Sequence, residues 1–145
     1  MAKVFISTVI DAPAGRVWSV VRDFNGMGGW TSFVSESRIE QNEPSDKIGC
    51  IRNFTLKEGG KIRERLLALS DYDLSFTYEI VESGMGVENY VATLKLSPIT
   101  DGDRCFAEWT AEFDCSPERE AELVNHVGKN VFLAALTSLK VRFGR

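Results

Sequence analysis

Histidine is almost absent: His126 is the only one among 145 residues, so no second imidazole is available for a metal centre. The cysteines are few as well. Cys50, Cys105 and Cys115 form an odd set without CxxC spacing, which reads as reduced core or near-core thiols and leaves no expected metal and no cofactor. Basic charge is in deficit, with 17 Lys and Arg against 21 Asp and Glu and a net charge of -4. A surface able to neutralise a phosphate backbone is therefore not expected, which excludes nucleic acid as a partner. Long apolar runs are missing too, so no membrane span is expected. The segment Met1 to Ile10 alternates and reaches Asp11 without a basic region. It reads as a strand and not a leader peptide, giving a cytoplasmic address as the expectation. The glycines at Gly26 to Gly29 carry neither a GxGxxG nor a GK[ST] pattern, which excludes a phosphate-binding loop.

What is present is an ordinary globular composition, 43% hydrophobic and 26% charged, without repeats, linkers or low-complexity segments. A chain of this length forms one domain, 1-145, and buries roughly 70% of its unfolded surface. Val4 to Ile10 is a β-branched run ending at Asp11-Ala12-Pro13, where the proline opens a helix bearing Val17, Trp18, Val21 and Phe24 at helical spacing. That helix should end near Asn25-Gly26, with a short second helix or turn leading to Trp30 and Phe33. From Val34 to Asp114 strands recur between turn signals at Glu43-Pro44-Ser45, Glu58-Gly59-Gly60, Asp71-Tyr72-Asp73, Ser83-Gly84-Met85-Gly86 and Asp101-Gly102-Asp103. The last strand alternates most cleanly, with Cys105, Ala107, Trp109, Ala111 and Phe113 on its dry face. Ser116 should cap, and Pro117 begin, a long helix to about Arg142. Its stripe is Leu123, Val124, Val127, Val131, Ala135 and Leu139, and Lys140, Arg142 and Arg145 complement its negative end. The fold class is therefore α+β: a curved antiparallel sheet wrapped around a long C-terminal helix, with two short helices after the first strand. Such a sheet presents more apolar area than one helix fills, so an internal cavity follows. Its walls are expected from Phe54, Leu66, Phe76, Tyr78, Ala92, Trp109, Val127 and Val131, and its gating loops from Gly59, Gly60, Gly84 and Gly86.

Two charges interrupt the dry faces. Ile48, Cys50, Arg52, Phe54 and Leu56 share one face of a strand, and Ile62, Glu64, Leu66 and Ala68 share one face of the next. A five-residue connection at Lys57 to Lys61 would set Arg52 diagonal to Glu64, within reach of long side chains; a shift of one residue would reverse a face. One reading is a structural ion pair, since an isolated charge in a dry interior is costly. The other is a pair facing a ligand, because two apolar residues there would hold the fold as well. Tyr78 and Tyr90 add hydroxyls on neighbouring inward faces. His126 is expected on the exposed or flanking side of the last helix.

These residues carry a family resemblance. Asp11-Ala12-Pro13, Val17-Trp18 and Asp23-Phe24, with the order of elements along the whole chain, resemble the START-like (SRPBCC) superfamily of polyketide cyclases and dehydrases, which includes the birch-pollen allergen fold. Gly49-Cys50-Ile51-Arg52, Glu64-Arg65-Leu66 and Glu88-Asn89-Tyr90 leading to Ala92-Thr93 are most similar to the branch of the plant abscisic-acid receptors and the onion lachrymatory-factor synthase. The resemblance implies a helix-grip fold with a seven-stranded sheet. It also implies Arg52 and Glu64 as a catalytic pair, with Tyr90 beside them. Against hormone reception stand Glu58-Gly59-Gly60 in place of the receptors' Ser-Gly-Leu-Pro gate, Thr31 where they carry a lysine, and Val131 where they carry an asparagine.

Two functions remain open at this stage. A binder, monomer or weak homodimer, would hold a small apolar or amphipathic ligand, such as an aromatic or polyketide-like metabolite. An enzyme would be a cofactor-independent cyclase, dehydratase or isomerase, with Arg52 and Tyr90 on a developing oxyanion and Glu64 moving a proton. Burial raises the Glu64 pKa while Arg52 lowers it, and the sequence leaves that balance open.

Overall fold

The computed structural model describes residues 1–144, so Arg145, read above as a dipole complement, lies outside the described residues. Seven strands form one antiparallel sheet: β1 (Ala2–Ile10), β2 (Val34–Ile39), β3 (Ile51–Leu56), β4 (Lys61–Ser70), β5 (Ser75–Glu82), β6 (Glu88–Ile99) and β7 (Arg104–Asp114). Their spatial order, β1-β7-β6-β5-β4-β3-β2, is a meander from β2 to β7 with β1 added beside β7, Ala2 opposite Phe113 and Ile10 opposite Cys105. The dry face of β7 is buried from Cys105 to Phe113 at every second residue, and Tyr90, Ala92, Leu94 and Leu96 of β6 are buried beside it.

Helix α1 (Ala14–Val21) buries Ala14, Val17, Trp18 and Val21. It ends earlier than the apolar spacing predicts because the Asp23 carboxylate accepts a hydrogen bond from the Asn25 backbone N–H at 3.0 Å, which gives the chain a local turn in place of helix. Phe24 remains buried all the same. Trp18 Nε1 donates to Asp71 at 2.7 Å and Arg22 Nε donates to the same carboxylate at 2.8 Å, fastening α1 to the β4–β5 turn. A single 3-10 turn, Met27–Gly29, stands where the second short helix was expected.

The C-terminal helix departs from a uniform α-helix. It begins as a 3-10 turn, Pro117–Arg119, continues as α2 (Glu120–Asn125), widens to a π-helical segment at His126–Leu133 and returns to α3 (Ala134–Arg142). Ser116 occupies the cap position, but its side chain makes no cap bond; its carbonyl accepts from Arg119 N instead. The wide segment moves the buried stripe. Leu123, Val127, Phe132 and Leu136 are all buried, with a five-residue step across the π turns. An uninterrupted α period places Val131 at the centre of that stripe and omits Phe132 and Leu136; in the structure Val131 is only half-buried.

Two further readings need correction. Ile48 lies in the turn before β3 and is 54% exposed, so it does not share the face of Arg52. In β4 a bulge at Leu67, between the pairs Leu66–Tyr78 and Ala68–Thr77, transfers the inward face to Leu69 and leaves Ala68 exposed.

Candidate functional site

The β3–β4 hairpin sets the site. Leu56 N donates to the Gly60 carbonyl and Gly59 N to the Leu56 carbonyl, both at 2.8 Å, so the loop is the three-residue turn Lys57-Glu58-Gly59. Gly59 sits at φ +106, a conformation that favours glycine. Relative to the five-residue connection expected, the register shifts by two. The faces are therefore kept, and Arg52 lies directly opposite Glu64 instead of diagonal to it.

Both side chains are inside, Arg52 at 2% and Glu64 at 5% exposure. Arg52 Nε and Nη2 both donate to Glu64 Oε1, at 2.8 and 2.7 Å, and Nη1 donates to the Phe24 carbonyl at 3.2 Å. The guanidinium lies over the Phe24 ring, 4.0 Å from its centroid, and 4.8 Å from that of Tyr78. Glu64 Oε2 makes no hydrogen bond among the described residues. Burial pushes the Glu64 carboxyl above its ordinary value, against the downward pull of Arg52. Tyr78 accepts from Trp109 Nε1 at 3.1 Å, and its hydroxyl interacts electrostatically with that of Tyr90. Burial, reinforced by the Glu64 charge, holds both phenols protonated far above neutrality.

Arg52, Glu64, Tyr78 and Tyr90 are the buried polar groups lining a cavity of about 560 Å³, to which Lys57, Glu58, Lys61 and Ser83 add polar groups at less buried positions. Phe54, Trp109, Val127 and Val131 line it as well, as do Gly60 and Gly84 from the expected gating loops. Leu66, Phe76 and Ala92 do not; they are buried in the core. Phe76 packs its ring against Trp18 and Phe24, at 6.3 and 6.0 Å between centroids, under α1 and away from the cavity. Ala92 stands between Tyr78 and Ala111 in register, too short to reach inward. Gly59 and Gly86 belong to the mouth loops without forming wall.

The mouth lies where the sheet divides. Pairing of β5 with β6 runs only from Ser75–Lys95 to Glu79–Val91; beyond that β5 follows β4, and β6 follows β7 to Glu88–Asp114. The loop 83–87 spans the gap, contributing Ser83, Gly84 and Met85 to the lining. Arg119 holds this loop to the start of the C-terminal helix, donating from Nη1 to the Met85 carbonyl at 3.0 Å and pairing with Glu122 at 2.9 Å. Sequence reading missed Arg119, because an arginine at a helix start gives no sign of a partner 34 residues earlier. It also missed Asn130. This residue lines the cavity with His126, whose ring nitrogen it meets at 3.1 Å, because the π segment turns both toward the mouth.

The described residues hold no group of His, Cys, Asp and Glu suited to a metal ion, and no helix long and apolar enough to cross a membrane. Burial raises the Cys50 and Cys105 thiols, the latter to about 11, which leaves neither activated as a nucleophile.

The family model for "Polyketide cyclase / dehydrase and lipid transport" matches residues 1–144. The chain belongs to this family. Solved structures agree: a protein from Thermobifida fusca is 32% identical, with a TM-score of 0.90 over 100% of this chain and 95% of that one. A protein from Nitrosospira multiformis is 27% identical, with a TM-score of 0.82 over 97% and 95% of the two chains. The XoxI protein of Bacillus cereus, at 23% identity and a TM-score of 0.88 over 99% and 96%, shares the fold. Membership in the family supports a role in hydrophobic ligand binding or cyclase-like chemistry.

Proposed function

We propose that this protein binds a small hydrophobic, aromatic or polyketide-like metabolite in the internal cavity, acting in the cytoplasm as a monomer or weak homodimer. The observation that carries this reading is a mainly apolar cavity whose buried polar groups gather in one place, Arg52–Glu64 beside Tyr78 and Tyr90. Its volume of about 560 Å³ falls within the roughly 300–1,000 Å³ typical of small-ligand sites. Apolar walls supply affinity, and the few convergent polar groups orient the ligand. A thermal-shift panel of aromatic, polyketide-like and fatty compounds tests it. A hit on the wild type that is lost in the Arg52→Ala, Glu64→Gln double variant supports the assignment; absence of any hit refutes it.

A second reading, proton-transfer catalysis, is favoured by one specific observation. Arg52 occupies only Oε1 of Glu64, so Oε2 is open to a substrate on a carboxyl whose pKa is raised. In that case Arg52 and Tyr90 would stabilise a developing oxyanion while Glu64 shuttles the proton between two substrate atoms. Glu64→Gln that keeps affinity for a bound compound but abolishes its turnover supports catalysis. Equal loss of both returns the site to binding alone.

A further inference from the structure

Glu64 has a second consequence for the ligand, which rests on the proposal that the cavity binds one. An arginine alone on a dry wall would select anions. Here its charge is cancelled within the wall, because Nε and Nη2 both converge on Glu64 Oε1 and Nη1 is spent in part on the Phe24 carbonyl. Aromatic rings also enclose the guanidinium, Phe24 and Tyr78 lying on adjacent sides of it with centroids 4.0 and 4.8 Å from its carbon and 6.1 Å from each other. At this buried wall what remains is a set of neutral or neutralised hydrogen-bonding groups: uncommitted N–H of Arg52, Glu64 Oε2 and the phenols of Tyr78 and Tyr90; the unneutralised charges of the lining, Lys57, Glu58 and Lys61, sit on exposed residues at the end of the β3–β4 hairpin. A carboxylate placed here would lie beside a second carboxylate in a medium of low polarity, where uncompensated charge is most costly. A carbonyl, phenol or alcohol oxygen would meet donors and an acceptor without adding charge.

We infer that Glu64 is a specificity-determining residue that cancels the charge of Arg52, so that the cavity takes an uncharged oxygenated aromatic ligand and rejects the corresponding carboxylate. The pocket walls fit the aromatic part of that class: Phe33, Phe54, Tyr78, Tyr90 and Trp109 all line it. The resolved side-chain geometry, with both partners nearly fully buried, carries the inference.

The test uses two probes of matched shape, 2-naphthol and 2-naphthoate, titrated calorimetrically into the full chain at pH 7.5. The expected result is that naphthol binds at least about tenfold more tightly than naphthoate. Glu64→Gln, which removes the negative charge and keeps a carbonyl for Arg52, should narrow or reverse that order by strengthening naphthoate. Should the variant not fold, naphthoate titrations of the wild type in two buffers of different ionisation enthalpy replace it. Uptake of a proton with the carboxylate is then expected, and naphthoate binding without proton uptake overturns the inference. Naphthoate binding the wild type as tightly as naphthol also overturns it, while leaving the cavity as a ligand site. Binding of neither probe removes the underlying reading instead.

Discussion

Replacing the buried pair by apolar residues of similar volume, Arg52→Met with Glu64→Leu, separates the two reasons for its presence. Removing only Arg52 leaves a carboxylate inside without its cation and should cost about 3–5 kcal/mol. Removing both relieves the desolvation of two charges, a gain of about 1–4 kcal/mol in comparable sites. Against this stand the stacking of Arg52 on Phe24 and Tyr78, at 4.0 and 4.8 Å, worth about 0.5–2 kcal/mol. The hydrogen bond to the Phe24 carbonyl adds about 1 kcal/mol to that side. The double variant should therefore lie within about 2 kcal/mol of the wild type, and the coupling between the two sites should exceed about 1 kcal/mol. Urea unfolding followed by tryptophan fluorescence measures all four corners of the cycle. Additive losses in the double variant would refute the reasoning and make the pair a structural requirement. A stable double variant that no longer binds 2-naphthol would tie the two charges to the ligand.

Other consequences are open to direct measurement. The Glu40 carboxyl, held at about 2 chiefly by the hydrogen bond from Arg63, has a folded pKa below its ordinary 4.5. Its contribution is thus complete above pH 4.5 and lost as pH falls toward 2, and Glu40→Gln should flatten the acid limb of a melting-temperature profile in that window. Glu64 has the opposite sign: its folded pKa is raised, so its contribution is complete below the ordinary 4.5 and fades as pH rises through the folded value. The difference in melting temperature between wild type and Glu64→Gln should accordingly change in favour of the variant on going from pH 4 to pH 8, by calorimetry. Arg119→Ala should release the 83–87 loop, seen as faster amide exchange there, with a global stability loss below about 1 kcal/mol. Gly86→Ala should cost more, about 1–2 kcal/mol in urea unfolding, because Gly86 is at φ +87, a conformation strained for a residue with a Cβ, and the added Cβ would also push the Arg119 guanidinium off its place.

The parts of this molecule legible in its sequence are those governed by a simple period. Cys105 to Phe113 and Tyr90 to Leu96 alternate strictly, and each residue that alternation assigns inward is buried. The inward placement of Arg52 and Glu64 was readable for the same reason: parity survives any change of the loop by two residues, though their direct opposition depends on a turn closed by Leu56 and Gly60. Where the period breaks, the sequence is silent. Leu67 forms a bulge among Leu66, Ala68 and Leu69 without a glycine or proline to announce it. Phe132 and Leu136 enter the core only because the backbone widens before them. Arg119 and Met85 meet through tertiary structure alone.

The π segment at His126–Leu133 also acts as a phase adjuster. In an α-helix each residue advances the side-chain direction by about 100°, so deleting one residue from this stretch would turn α3 by that angle relative to α2. The deletion would restore ideal hydrogen bonding locally yet swing Leu136 and Leu139 off the sheet, or, if α3 stayed docked, carry His126 and Asn130 away from the cavity mouth. The helix can satisfy its own geometry or serve both the sheet and the cavity mouth, and the extra residue is what lets one continuous rod do the second.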